Sequence, residues 1–75
     1  MKIEIFGTPT CQFCSSAKAL CKTNGFEMTY TDILPIEARK ALEDRIGQPV
    51  KTVPQIIVND KYVGGFNDFK NFLKG

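Results

Sequence analysis

Among its 75 residues the chain has no histidine and no tryptophan. Without histidine, Cys-His and Ser-His-Asp nucleophile arrangements are excluded, and the commonest nitrogen partner of cysteine-bound zinc is missing. Long apolar runs are absent too. Stretches such as Ile56-Ile57-Val58 fall far short of a bilayer span, so no membrane association is expected. There is no Lys/Arg cluster, and 10 basic against 8 acidic residues leave a net charge of +2. That is not the electrostatic footprint of a nucleic-acid binder. After Met1-Lys2 the apolar stretch is broken at Glu4, so no export signal is expected and the chain is placed in the cytoplasm. No linker, repeat or low-complexity stretch appears, which predicts one domain over residues 1–75, acting as a monomer.

What is present is a globular composition: 43 % hydrophobic and 24 % charged residues, too apolar for disorder. A chain this short buries only roughly 60 % of its unfolded surface, so its core must be efficient. Cysteines are few and odd in number: Cys11, Cys14 and Cys21. An odd count argues against a closed disulfide framework. In a reducing compartment cysteines are catalytic, metal-binding or buried.

Lys2-Ile3-Glu4-Ile5-Phe6 alternates and reads as a strand ended by Gly7-Thr8-Pro9-Thr10. From Cys11 to about Asn24 the pattern turns helical, with Cys14, Ala17, Leu20 and Cys21 on one stripe, Thr10 as N-cap and Asn24-Gly25 as the stop. Phe26 to Asp32 reads as a second strand, parallel to the first because a helix connects them. Pro35 suits the first turn of a second helix carrying Ala38, Ala41, Leu42, Arg45 and Ile46, with Arg39/Glu43 and Lys40/Asp44 at i,i+4 and Gly47 closing it. Gln55–Val58 is a third strand, Asn59-Asp60 a tight turn and Lys61–Val63 an antiparallel return. After Gly64-Gly65, a stripe of Phe66, Phe69, Phe72 and Leu73 marks a last helix, with Asn67 as N-cap and Gly75 beyond its end. The order β-α-β-α-β-β-α predicts an α/β fold: a mixed four-stranded sheet packed with three helices.

Three segments carry chemistry. The first is Cys11-Gln12-Phe13-Cys14, at the start of a helix and straight after a strand. A helix N-terminus offers unpaired N–H groups and partial positive charge, which stabilise a thiolate. Cys11 at the tip is the nucleophile and Cys14, one turn in, resolves the mixed disulfide. With two ligands in the motif and Cys21 as the third thiol, redox chemistry is favoured over zinc and no metal site is assigned. Cys21, on the apolar stripe, reads as core. The second is Thr52-Val53-Pro54-Gln55. Pro54 is read locally as a strand-start residue, with a cis peptide as the other option. The third is Gly64-Gly65-Phe66-Asn67-Asp68, a turn and helix cap. Its glycines permit close backbone approach, its N–H groups suit a carboxylate and Asp68 suits an ammonium.

Together, Thr10-Cys11-Gln12-Phe13-Cys14, Thr52-Val53-Pro54-Gln55-Ile56 and Gly64-Gly65-Phe66-Asn67-Asp68 resemble the glutaredoxins over nearly the whole chain. The resemblance implies a thioredoxin-like fold, a cis Pro54 and glutathione as cofactor and reductant. It also implies a glutathione site formed by Phe13, Thr52, Val53, Pro54, Gly65, Phe66, Asn67 and Asp68. The implied activity is glutathione-dependent thiol–disulfide oxidoreduction on glutathione mixed disulfides and on protein disulfides such as that of ribonucleotide reductase. The sequence departs from the family at two places. Gln12-Phe13 stands for the common Pro-Tyr, and Thr8 stands where many members carry Lys or Arg, with Lys51, Gln48 and Arg45 as substitutes for that cation. The competing readings are a small redoxin reduced by thioredoxin reductase, and a thiolate module holding zinc or an iron–sulfur cluster.

Overall fold

A computed structural model describes residues 1–75. The chain runs β1 (Lys2–Gly7), α1 (Gln12–Asn24), β2 (Glu27–Asp32), α2 (Ile36–Ile46), β3 (Gln55–Val58), β4 (Lys61–Gly64) and α3 (Phe66–Lys74). The strands form one mixed sheet in the order β2-β1-β3-β4. β1 and β2 are parallel, with Ile5 opposite Tyr30 and Gly7 opposite Asp32. β3 runs antiparallel to β1, with Ile5 opposite Ile56, and the ladder ends at Phe6 and Gln55. The β3–β4 turn is made by Asn59 and Asp60, both at positive φ (51° and 67°), as the hairpin geometry requires.

Alternation along β1 and β3 divides the core in two. Ile3, Ile5, Ile56 and Val58 face α1 and α3, where they meet Ala17, Cys21 and Phe69. Phe6 and Ile57 face the other way and pack with Leu42 of α2, Ile33 and Val50. All four residues of β3 are buried, as expected of a central strand covered on both faces. The sheet therefore holds α1 and α3 on one side and α2 on the other. The expected element order and sheet are observed.

Three local expectations change. The N-cap of α1 is Cys11, not Thr10: the sulfur itself accepts from a first-turn N–H. The N-cap of α3 is Gly65, not Asn67, because the Asp68 carboxylate reaches back to the Gly65 N–H at 3.1 Å and starts the helix two residues earlier. Phe72 is 48 % exposed. The core-facing stripe of α3 is buried Phe69 with partly buried Phe66 and Leu73, spaced i, i+3 and i+7, and Phe72 falls off its edge.

Candidate functional site

The N-terminus of α1 is built around two sulfurs. Cys11 caps the helix in extended conformation (φ −87°, ψ 115°), and its Sγ accepts from the Cys14 N–H at 3.2 Å. The Cys11 N–H in turn donates to the Thr8 carbonyl at 3.2 Å, which holds the preceding loop against the helix tip. Cys11 is half-buried, whereas Cys14 is 1 % exposed. Burial, and then its hydrogen bond to Cys11, push the Cys14 thiol up to about 11, while the Thr8 backbone and the Lys18 charge pull the other way. Cys14 is thus a neutral thiol in the reduced protein. The two sulfurs divide as the spacing predicts, into an accessible thiol and a buried one. Cys21 is fully buried in the core between α1 and the sheet, and burial raises its pKa as well.

Gly7 makes this packing possible. A Cβ on Gly7 would lie 2.2 Å from Cys14 Sγ and 3.2 Å from Cys14 Cβ. In sequence Gly7 reads only as a strand end. A glycine four residues before a CxxC is the signal that points to it.

The second segment lies beyond the end of the β1–β3 ladder, and its Val53–Pro54 peptide is cis, as the resemblance implied. Gln55, 5 % exposed, anchors it: Nε2 donates to the Thr52 carbonyl at 2.7 Å and to Thr52 Oγ1 at 3.3 Å. The Tyr62 hydroxyl of β4 donates to Gln55 Oε1, and Gln48 Nε2 reaches the same hydroxyl at 3.4 Å. Gln55 and Tyr62 thus fix the position of Thr52. No local pattern connects residues 55 and 62 to that loop.

The third segment closes the site. Gly64 sits at φ 125°, and a Cβ there would lie 2.6 Å from Asp68 Oδ2, so the glycine accommodates the capping carboxylate. Phe13, 57 % exposed, leans over α1 to Phe66, with ring centroids 5.9 Å apart at 31°. Phe13, Thr52, Val53, Pro54, Gly65, Phe66, Asn67 and Asp68 line one groove of about 170 Å³. Residues from three distant parts of the chain are gathered there, beside the Cys11 turn. Cys11 and Cys14 are not among its lining residues.

A second cavity, of about 240 Å³, lies across the Thr52-Val53 segment and is lined in part by Thr8, Arg39, Lys51, Thr52 and Val53. Of the three substitutes for a cation at position 8, Lys51 is therefore placed beside Thr8. Gln48 lines a third cavity with Lys51 and Thr52. Arg45 is excluded: its guanidinium grips Glu4 in a fork at 2.7 and 2.6 Å and Asp60 at 3.2 Å. Arg39 enters the site instead. Its Nη2 donates to the Val50 carbonyl at 2.7 Å, and its Nε lies 3.5 Å from Glu43. In sequence it reads as half of a surface ion pair.

Residues 3–63 match the family model described as Glutaredoxin. The chain is 40 % identical over 80 residues to a glutaredoxin of Vibrio cholerae, covering 99 % of this chain and 92 % of that one. Reduced Escherichia coli glutaredoxin superposes with a TM-score of 0.83 at 35 % identity, covering 99 % of this chain and 94 % of that one. A buckwheat glutaredoxin solved as a glutathione complex superposes with a TM-score of 0.79, covering 96 % and 67 % of the two chains, at 22 % identity, a likeness of fold.

Proposed function

The chain belongs to the glutaredoxin family of thiol–disulfide oxidoreductases, and from that premise we propose that glutathione is its reductant and that residues 1–75 act as one domain, monomeric and cytoplasmic. The observation that carries the reading is the assembly of the eight predicted contact residues, Phe13 of the Cys11–Cys14 motif among them, into one groove. No helix is long and apolar enough to cross a membrane.

The chemistry follows from the two sulfurs. The Cys11 thiolate attacks the glutathione sulfur of a glutathionylated protein, forming a Cys11–glutathione disulfide and releasing the protein thiol. A second glutathione then attacks the same sulfur of glutathione, freeing Cys11 and leaving oxidised glutathione. On a protein disulfide, such as that of ribonucleotide reductase, Cys11 forms a mixed disulfide with the target and Cys14 displaces the target thiol. The Cys11–Cys14 disulfide is then reduced by two glutathiones.

Glutathione is a peptide with an ammonium and a carboxylate at its γ-glutamyl end. Asp68 takes the ammonium, and the first-turn N–H groups of Asn67 and Asp68 take the carboxylate. One Asp68 oxygen already caps α3, and the residue stays exposed. The backbone of Val53, outside the strand ladder, pairs with the cysteine of glutathione as an added strand would. Lys51 and Arg39, across Thr52-Val53, attract the glycine carboxylate in place of a cation at position 8. Phe13 and Phe66 flank the peptide with apolar surface, and Thr52 and Pro54 form its floor.

The test is reduction of a small glutathione mixed disulfide in two coupled assays. Turnover with glutathione and glutathione reductase, and none with thioredoxin reductase alone, is the expected result. The reverse pattern would assign the chain to the small redoxins reduced by thioredoxin reductase.

A further inference from the structure

Tyr30 has no part in the groove, yet this partly buried residue carries the buried side-chain polar atom that lacks any partner. Its hydroxyl is closed off from solvent and makes no hydrogen bond. Such a group is costly to keep, and a phenylalanine would fill the same space without it. The residue stands on β2 opposite Ile5, on the α1 face of the sheet.

Two features bring it to the dithiol. The point where a Gly7 Cβ would sit is 2.2 Å from Cys14 Sγ and 3.6 Å from Tyr30 Cε1. The sulfur and the ring edge therefore both border the space that a side chain at position 7 would fill. Lys18, one turn beyond Cys14 on α1, holds its Nζ 4.2 Å from the Tyr30 ring centroid, a cation–π contact that helps to hold the ring. The ionisable groups around Tyr30 are Cys14, Cys11 and Lys18 from α1 and its cap, and Asp32 from β2. Burial, then the charges of Cys14, Asp32 and Cys11, raise the phenol above its ordinary value. It stays an O–H donor wherever the thiols react.

We propose that Tyr30 serves the resolving step: its unpartnered O–H donates to Cys14 Sγ when that sulfur ionises to attack a mixed disulfide on Cys11. This rests on the resolving role given to Cys14 above. In that step the Cys14 S–H gives up its proton and its sulfur bonds to Cys11 Sγ. The bond from Cys11 to the departing thiol breaks, and that thiol takes a proton. Over adduct formation and this closing step together, the Cys11–Cys14 dithiol loses two electrons and the attacked disulfide gains them as two thiols. A thiolate formed in a site that holds Cys14 near 11 needs a donor at that moment, and a small movement of the ring or of Cys14 brings the free hydroxyl of Tyr30 to it.

The experiment mixes the reduced full-length protein with oxidised glutathione, quenches with an alkylating agent, and follows the Cys11–glutathione adduct and the Cys11–Cys14 disulfide by mass spectrometry. In Tyr30→Phe, closure of the intramolecular disulfide slows about tenfold, the scale of a hydrogen bond to a charged group. The pH–rate profile of closure also moves to higher pH. Formation of the Cys11–glutathione adduct keeps its rate, and Cys14→Ser turns over a small glutathione mixed disulfide equally well with and without the Tyr30→Phe change. The melting temperature is unchanged or higher, since an unpaired hydroxyl has gone. Wild-type closure rate and pH profile in Tyr30→Phe would overturn the inference. So would an equal loss in the Cys14→Ser background, which would make Tyr30 a general support of the helix. If the wild-type protein closes no Cys11–Cys14 disulfide, the resolving role fails first, before any Tyr30 variant is made, and this inference falls with it.

Discussion

Replacing Gly7 with alanine places one methyl group where Cys14 already sits. The added Cβ would lie 2.2 Å from Cys14 Sγ, well inside van der Waals contact. The neighbour is not the free end of a long side chain but a 1 %-exposed sulfur on a helix packed against the sheet. Relief requires either a Cys14 rotamer change or a shift of α1. Overpacking of this kind costs roughly 1–3 kcal/mol. In a domain of this size that lowers Tm by about 5–20 °C. Urea titration gives the same loss as a lower midpoint at unchanged slope. The structure also predicts the cure. In Gly7→Ala combined with Cys14→Ala the colliding sulfur is gone, and the new Cβ meets Cys14's Cβ position at 3.2 Å, which a shift of a few tenths of an ångström relieves. The double variant therefore loses less stability than the two single losses added together, a non-additivity on the order of 1 kcal/mol. Two single losses that simply add would refute the argument, because they would mean that alanine at position 7 disturbs something other than the sulfur.

Three further outcomes follow from the site and its surroundings. Cys11→Ser abolishes all exchange, whereas Cys14→Ser keeps turnover of glutathione mixed disulfides and loses reduction of protein disulfides; the two coupled assays and a protein-disulfide substrate separate these. Asp68→Ala raises KM for glutathionylated substrates about 10- to 100-fold, the scale of one charge-assisted hydrogen bond, and also loosens α3, since Asp68 caps Gly65; Asp68→Asn retains more of the melting temperature than Ala while KM stays high, and KM unchanged in both variants would leave Asp68 a cap alone. The Arg45 hydrogen bond holds the Glu4 carboxyl below its ordinary value, so this pair's contribution is present above the unfolded carboxylate range and is lost as pH falls through the lowered value; Arg45→Met is accordingly destabilised in urea at pH 7, and its deficit shrinks at pH 3.

The pairing of β1 with β2 and the position of Cys11 were legible because they rest on local signals. Alternation in Lys2–Phe6, one apolar stripe after Cys11 and a stop at Gly25 specify a strand, a helix and their handed connection before any long-range contact forms. The helix caps were less legible. Thr10 and Asn67 are good capping residues by type, but the cap goes to whichever oxygen or sulfur reaches the free N–H groups. Here those are Cys11 Sγ and the Asp68 carboxylate.

By itself the sequence determined the element order, the two kinds of sulfur and the three segments that form the groove, since each depends on residues near one another in the chain. Tertiary structure alone decided which charges and neighbours the site receives. Arg39 and Arg45 lie six positions apart on α2, and composition does not distinguish them. Packing of α2 on the sheet turns Arg39 toward Val50 and the Thr8 cavity and leaves Arg45 to Glu4 and Asp60. Gly7, Tyr30 and Cys14 likewise meet because a parallel strand pair and a helix are stacked at contact distance. That juxtaposition is a property of three packed elements, and no window of local sequence contains it.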